Sequence, residues 1–168
     1  GDNNLEQMGI LDLNEMELAP ACAQVNVLVQ FDRIPLYDSS NGNWTTTRRY
    51  RVLPDSDPDL IRSQFLSDLG ELNMGDPQTL VDFLTWGAAN YPADHYLVIL
   101  WDHGSGWRAA ETSPPVKAIC EDRTSSDVLT TAELVTAFAE VRATLGRSLD
   151  IIACDACVMG ALEVASPL

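Results

Sequence analysis

The chain has 168 residues, and ten basic side chains against twenty-five acidic ones leave a formal charge of −15. That length can enclose the core of one domain, and 46% hydrophobic with 21% charged residues is a globular composition, not a disordered one. The charge argues against nucleic acid and anionic membrane surfaces, which call for clustered Lys and Arg, and leaves cations and basic peptides as the species an acidic body attracts.

No apolar run reaches membrane-spanning length; the longest, around Tyr96 to Trp101, suits a buried strand. The first residue is Gly and no signal segment is in view, so the chain is expected to be a processed product or a piece of a longer protein. Cys22, Cys120, Cys154 and Cys157 do not make the pattern of a small disulfide scaffold. Without a CxxC…CxxC or HExxH pattern, a structural zinc site has little support.

Taken in chain order, a helix is expected from about Asn4 to Leu18, capped by Asp2, with Leu5, Met8, Leu11 and Met16 partly inward. Val25 to Phe31 is rich in β-branched residues and reads as a strand. Trp44 to Leu53 reads as an extended pair or hairpin arm, and a weaker helix covers about Asp59 to Leu69. Asp76-Pro77 is an N-cap followed by proline at the first helical position, and Leu80, Phe83, Leu84 and Ala88 continue at helical spacing. His95 to Trp101 is a strand, Arg108 to Pro115 a loop, and Val116 to Cys120 a short strand. Thr130 to Glu133 has capping-box form, Leu134, Phe138, Val141 and Leu145 make one helical face, and Gly146 ends that helix. Leu149 to Cys154 is a last strand, and a helix opens near Met159.

Strands alternating with helices imply an α/β domain with a mostly parallel sheet, in which sites lie beyond the carboxyl ends of strands. Two such ends carry chemistry: Trp101 to Trp107, containing His103, and Asp155 to Gly160, containing Cys157. A right-handed crossover through the helix of Thr131 to Leu145 can set the two strands side by side, provided the short strand near Val116 is an excursion. A thiol beside an imidazole suits nucleophilic catalysis, because the thiolate is the attacking species and the imidazole can activate it or protonate the leaving amine. Cys157 is expected just before a helix N-terminus, whose positive end favours a thiolate. The backbone N–H groups of Gly104 and Cys157 are natural oxyanion donors. Asp155, at the floor of such a pocket, would select a basic side chain.

Blander roles compete with each of these. A lone Cys after a strand is more often core than nucleophile, a His there is usually a surface or capping group, and Asp155 is equally a turn former. His95 looks structural, and Cys120 and Cys154 read as buried apolar residues. Asp102 is assigned to local structure, because neighbours on an extended chain point apart. Metal binding by His103, Cys157 and Asp155 is a weaker reading, since those spacings match no strong motif.

GDNNLE at Gly1 to Glu6, NMGDP at Asn73 to Pro77, WDHGSGW at Trp101 to Trp107 and DACVMGALEVA at Asp155 to Ala165 resemble the clostripain family of cysteine peptidases, family C11 of the caspase-like clan. The resemblance spans nearly the whole chain. It implies a caspase-like three-layer sandwich, a mostly parallel sheet flanked by helices, here truncated at both ends and forming one partial peptidase domain over residues 1–168. It also implies an endopeptidase that cleaves after Arg or Lys, with His103 and Cys157 as the dyad and Asp155 as the determinant of that preference. Members are commonly exported from bacteria, to the medium or the cell envelope, and mature by cleavage between the His and Cys segments into chains that stay associated. Clostripain itself is linked to calcium, while other relatives need none; no calcium ligand and no other cofactor is assigned from the sequence. Lys117, the sole lysine, lies between the two segments, so self-cleavage between Lys117 and Ala118 is a candidate activation step, with Arg108 and Arg123 as rival sites. The competing expectation is an inactive caspase-like binding module or an incomplete piece without activity.

Overall fold

The computed structural model describes residues 1–105, 118–166 and 168. They form two compact units, Gly1–Leu72 and Asn73–Leu168.

The first unit opens with helix α1, Glu6–Glu17. Asp2 is not its cap: Leu5 holds the N-cap position, and the Asn3 side chain accepts the Leu5 N–H at 2.8 Å. The inward face also differs from the expected one. Ile10 and Leu13 are buried, but so are Glu6, Asn14 and Glu17, while Met8, Leu11 and Met16 face solvent. The reason is ionic. Glu6 meets the Arg33 guanidinium at 2.5 Å with both side chains fully enclosed, and Glu17 accepts the backbone N–H groups of Arg62 and Ser63. Buried carboxylates of this kind are held only by such partners.

Strands β1 (Leu28–Phe31), β2 (Arg48–Arg51) and β3 (Gln64–Asp68) make an antiparallel sheet in that order. The β3 segment was expected to be helical. Pairing overrides its weak helical pattern: Arg48 pairs with Asp68 at 2.9 Å, and Tyr50 meets the edge of Phe65. The core of this unit is Ile10, Leu13, Phe31, Trp44 and Tyr50, each large side chain contributing about 1.5–3 kcal/mol on full burial.

In the second unit, α2 (Pro77–Asn90) starts at the expected Asp76 cap, whose side chain accepts the Gln78 N–H at 2.8 Å. Strand β4 (Leu97–Trp101) is followed, after residues 106–117, by the antiparallel hairpin of β5 (Ala118–Asp122) and β6 (Asp127–Thr130). Helix α3 (Thr131–Leu145) begins with the reciprocal Thr130–Glu133 capping box and stops at Gly146, whose φ of 68° suits glycine. It leads into β7 (Ile151–Asp155), which pairs parallel with β4 from Leu97↔Ile151 to Trp101↔Asp155. The hairpin is therefore the excursion the sequence required. The class is α/β, with parallel pairing at β4–β7 and antiparallel pairing elsewhere among the described residues.

Val81 of α2 packs on Ala137 and Val141 of α3. The main core of the unit joins Val98, Leu100, Ile119, Leu129, Leu134, Phe138, Met159 and Val164. Strand β4 is buried on one face only: Val98 and Leu100 point into this core, whereas Leu97, Ile99 and, beside them, Ile151 are each more than half exposed. Among the described residues, no helix is long and apolar enough to cross a membrane.

Candidate functional site

The parallel register puts the ends of β4 and β7 level, because Trp101 lies opposite Asp155 and the Asp102 N–H reaches the Asp155 carbonyl at 3.3 Å. The next residues along each strand, His103-Gly104 and Ala156-Cys157, leave the sheet together. A methyl group on Gly104 would sit 2.6 Å from the Cys157 carbonyl oxygen, 2.8 Å from the Met159 side chain and 3.0 Å from the Ala156 Cβ. Only glycine permits this approach. Of the residues singled out in the sequence, His103, Gly104, Asp155 and Cys157 thus come together at one pair of strand tips. His103 is half-buried, and Asp155 and Cys157 are exposed.

The local scaffold fixes the His103 side of this pair. The buried Asp102 carboxylate accepts the backbone N–H of its own neighbour His103 at 2.5 Å, so its role is in the turn. Gly104 bridges to Ile119, the Ser105 N–H donates to the Ala118 carbonyl at 3.0 Å, and the Ala118 N–H donates to the Ser105 hydroxyl at 2.8 Å. The β5 strand thereby holds the His103 loop from its far side.

The Cys157 side differs from expectation. Residues 156–160 form turns, and α4 begins only at Leu162 and runs four residues to Ala165. Cys157 therefore does not sit at a helix N-terminus. Val158 has a φ of 52°, a left-handed conformation unusual for a β-branched residue and typical of turns that aim a functional group.

The remaining cysteines divide clearly. Cys120 is the extra residue of a β-bulge between Ile119 and Glu121, with a φ of 59°. Burial pushes its thiol up to about 12, which leaves it protonated and inert. Cys154 is only half-buried, with its thiol also raised by burial. Cys22 is exposed. His95 is indeed structural in its contacts: its Nδ1 lies 2.8 Å from Asp150 at the start of β7. Lys117 and Arg108 fall outside the described residues. Ala118, the residue after the candidate cut, is buried.

One cluster escaped the sequence reading. In the first unit Asp2, Asp32 and Glu71 each bring a carboxylate oxygen within 4.8 Å of the others. Asp2 and Asp32 are buried, and burial raises the Asp32 carboxyl to about 8, with Glu71 and Asp2 adding to the rise. The three lie so far apart along the chain that no spacing motif could announce them.

Comparison with known proteins places these features in context. The family model described as "Clostripain family" matches residues 1–168. Clostripain of Hathewaya histolytica is 31% identical over 175 residues, covering 98% of this chain and 33% of that protein. A secreted C11 cysteine protease from Bacteroides thetaiotaomicron, solved in complex with an irreversible peptide inhibitor, superposes with a TM-score of 0.71 at 25% identity, over all of this chain and 43% of that one. A second structure of a secreted C11 cysteine protease from the same organism, "iotapain", gives a TM-score of 0.61 at 14% identity, over 99% of this chain and 45% of its own, which speaks for the fold alone. The chain thus spans between a third and a half of the length of these relatives.

Proposed function

Because the chain belongs to the clostripain family and has its caspase-like α/β fold, we propose that it carries the nucleophile and the base of a cysteine endopeptidase that cleaves after Arg or Lys. The observation that supports this most directly is the close approach of Gly104 to the Cys157 carbonyl. It brings the two strand tips into direct backbone contact. On this reading residues 1–168 act as one peptidase domain, with the family match running through both units.

The Cys157 thiol gives its proton to the His103 imidazole, and the sulfur attacks the scissile carbonyl carbon. The N–H groups of Gly104 and Cys157 hold the resulting oxyanion. His103 then protonates the leaving amine, and water releases the acyl group from sulfur. The Asp155 carboxylate receives the basic side chain through a charge-assisted hydrogen bond. Calcium is possible by family resemblance, since clostripain itself is linked to it while other relatives need none.

Self-cleavage between Lys117 and Ala118 is the activation step this reading favours. The cut would turn the Ala118 amide, now bonded to Ser105, into a free ammonium beside the His103 loop. The processed chains would remain associated, since β4 of the first piece stays paired with β7 of the second. Export follows by analogy with the relatives described as secreted, and the substrates are peptides or proteins with a basic residue before the scissile bond.

The test is covalent labelling by an arginine-derived acyloxymethyl ketone. Mass spectrometry should find the adduct on Cys157, none on Cys157→Ser, and strongly slowed labelling of His103→Ala. Asp155→Asn should lose the preference for the arginine probe over a neutral one. An unlabelled wild type would favour the inactive binding module. Intact mass after incubation addresses processing: a Cys157→Ala chain that is still cut after Lys117 rules out self-cleavage.

A further inference from the structure

The Asp32 side chain is 1% exposed, and its two oxygens are treated differently. Oδ1 accepts the Thr47 hydroxyl at 2.9 Å. Oδ2 is buried with no hydrogen-bond partner among the described residues. Buried carboxylate oxygens almost always find a donor or a cation, and an orphan of this kind demands an explanation. The next residue, Arg33, does not supply it, since its guanidinium is committed to Glu6 and Asp38. What faces Asp32 instead is further negative charge, from Asp2 and Glu71, with the Gly1 ammonium as a small counterweight.

We propose that Asp2, Asp32 and Glu71 form a binding site for a hard divalent cation, with carboxylate oxygens as ligands and the orphan Asp32 Oδ2 among them. The ligand chemistry is all oxygen and acidic, which suits calcium or magnesium and not zinc or copper. Two of the three acids are enclosed and Glu71 is exposed, so the site has a closed floor and an open side for entry. These carboxylate oxygens leave the remaining coordination positions to other oxygen donors and water, as is usual for both ions. A proton shared between two of the acids is the competing occupant.

This inference is independent of the peptidase reading, and the test is run on the Cys157→Ala variant so that proteolysis cannot intrude. The protein is stripped with EDTA, and CaCl2 or MgCl2 is titrated in by calorimetry, with melting temperature followed in parallel. Saturable binding of one of the ions and a rise in melting temperature are expected. Asp32→Asn, which retains the Thr47 acceptor, should weaken binding by about tenfold or more. The exposed Glu71→Gln should weaken it too, and covers the case in which Asp32→Asn fails to fold. Asp57→Asn, outside the cluster, should change nothing. Absence of binding at millimolar ion, or binding untouched by the cluster variants, overturns the proposal. A stripped Asp32→Asn that melts higher than its parent, with no ion bound by either, assigns the site to a shared proton.

Discussion

Glu6 shows how much a single side chain can decide. It sits inside the first unit because Arg33 is there to meet it, and the guanidinium is in turn stacked over the Trp44 ring at 4.3 Å. Removing one member of a fully buried ion pair leaves the other charge stranded, at a cost of about 3–5 kcal/mol. Glu6→Ala should therefore lower stability by about that amount in urea titrations, whereas Met8→Ala, on the exposed face, should change it by less than about 0.5 kcal/mol. The same residues explain what the sequence could not tell. Hydrophobic periodicity placed Met8, Leu11 and Met16 inward because it has no way to represent a buried Glu whose partner lies far along the chain. The residues at the strand tips were readable for the opposite reason: His103-Gly104 and Asp155-Ala156-Cys157 are local signals that follow apolar strands directly.

Elements with their own punctuation were legible. The Asp76 cap, the Thr130 capping box and the Gly146 stop fix α2 and α3 by short-range chemistry, and the structure begins and ends those helices there. The β3 segment was not, because its strand exists only through β2, and β6 was missed for the same dependence on a partner. At the opposite end of the β4–β7 pair from the tips, Asp150 fastens the two strands. Its carboxylate meets His95 Nδ1 and accepts the Tyr96 N–H at 2.8 Å. The His95 contact, then the Tyr96 N–H, hold the Asp150 carboxyl below its ordinary 3.8. A depressed folded value contributes stability above the unfolded one, and that contribution is lost as pH falls through the carboxylate range toward the folded value. Acid titration of the melting temperature should thus show a steeper fall between pH 5 and 3 for the parent than for Asp150→Asn; equal slopes would mean that the fastening is energetically idle.

At the scale of the whole chain, the two units bury their charges and apolar groups unequally. The second unit leaves Leu97, Ile99 and Ile151 together on an uncovered sheet face. Contiguous apolar surface of this kind drives association. Light scattering at rising concentration should show self-association of the parent that Ile99→Thr reduces, with little change in melting temperature because the side chain is 58% exposed. The expectation of a buried strand came from an unbroken apolar run, which reads the same whether one face or both are covered.

Position 104 sets a mechanical tolerance for both strand tips. Across it, the gap between the two loops is bridged by a hydrogen atom where any other amino acid would insert carbon. The spacing of the tips is consequently gauged from inside the backbone, and a mutational library of this region has freedom in the side chains around this point but none at the point itself.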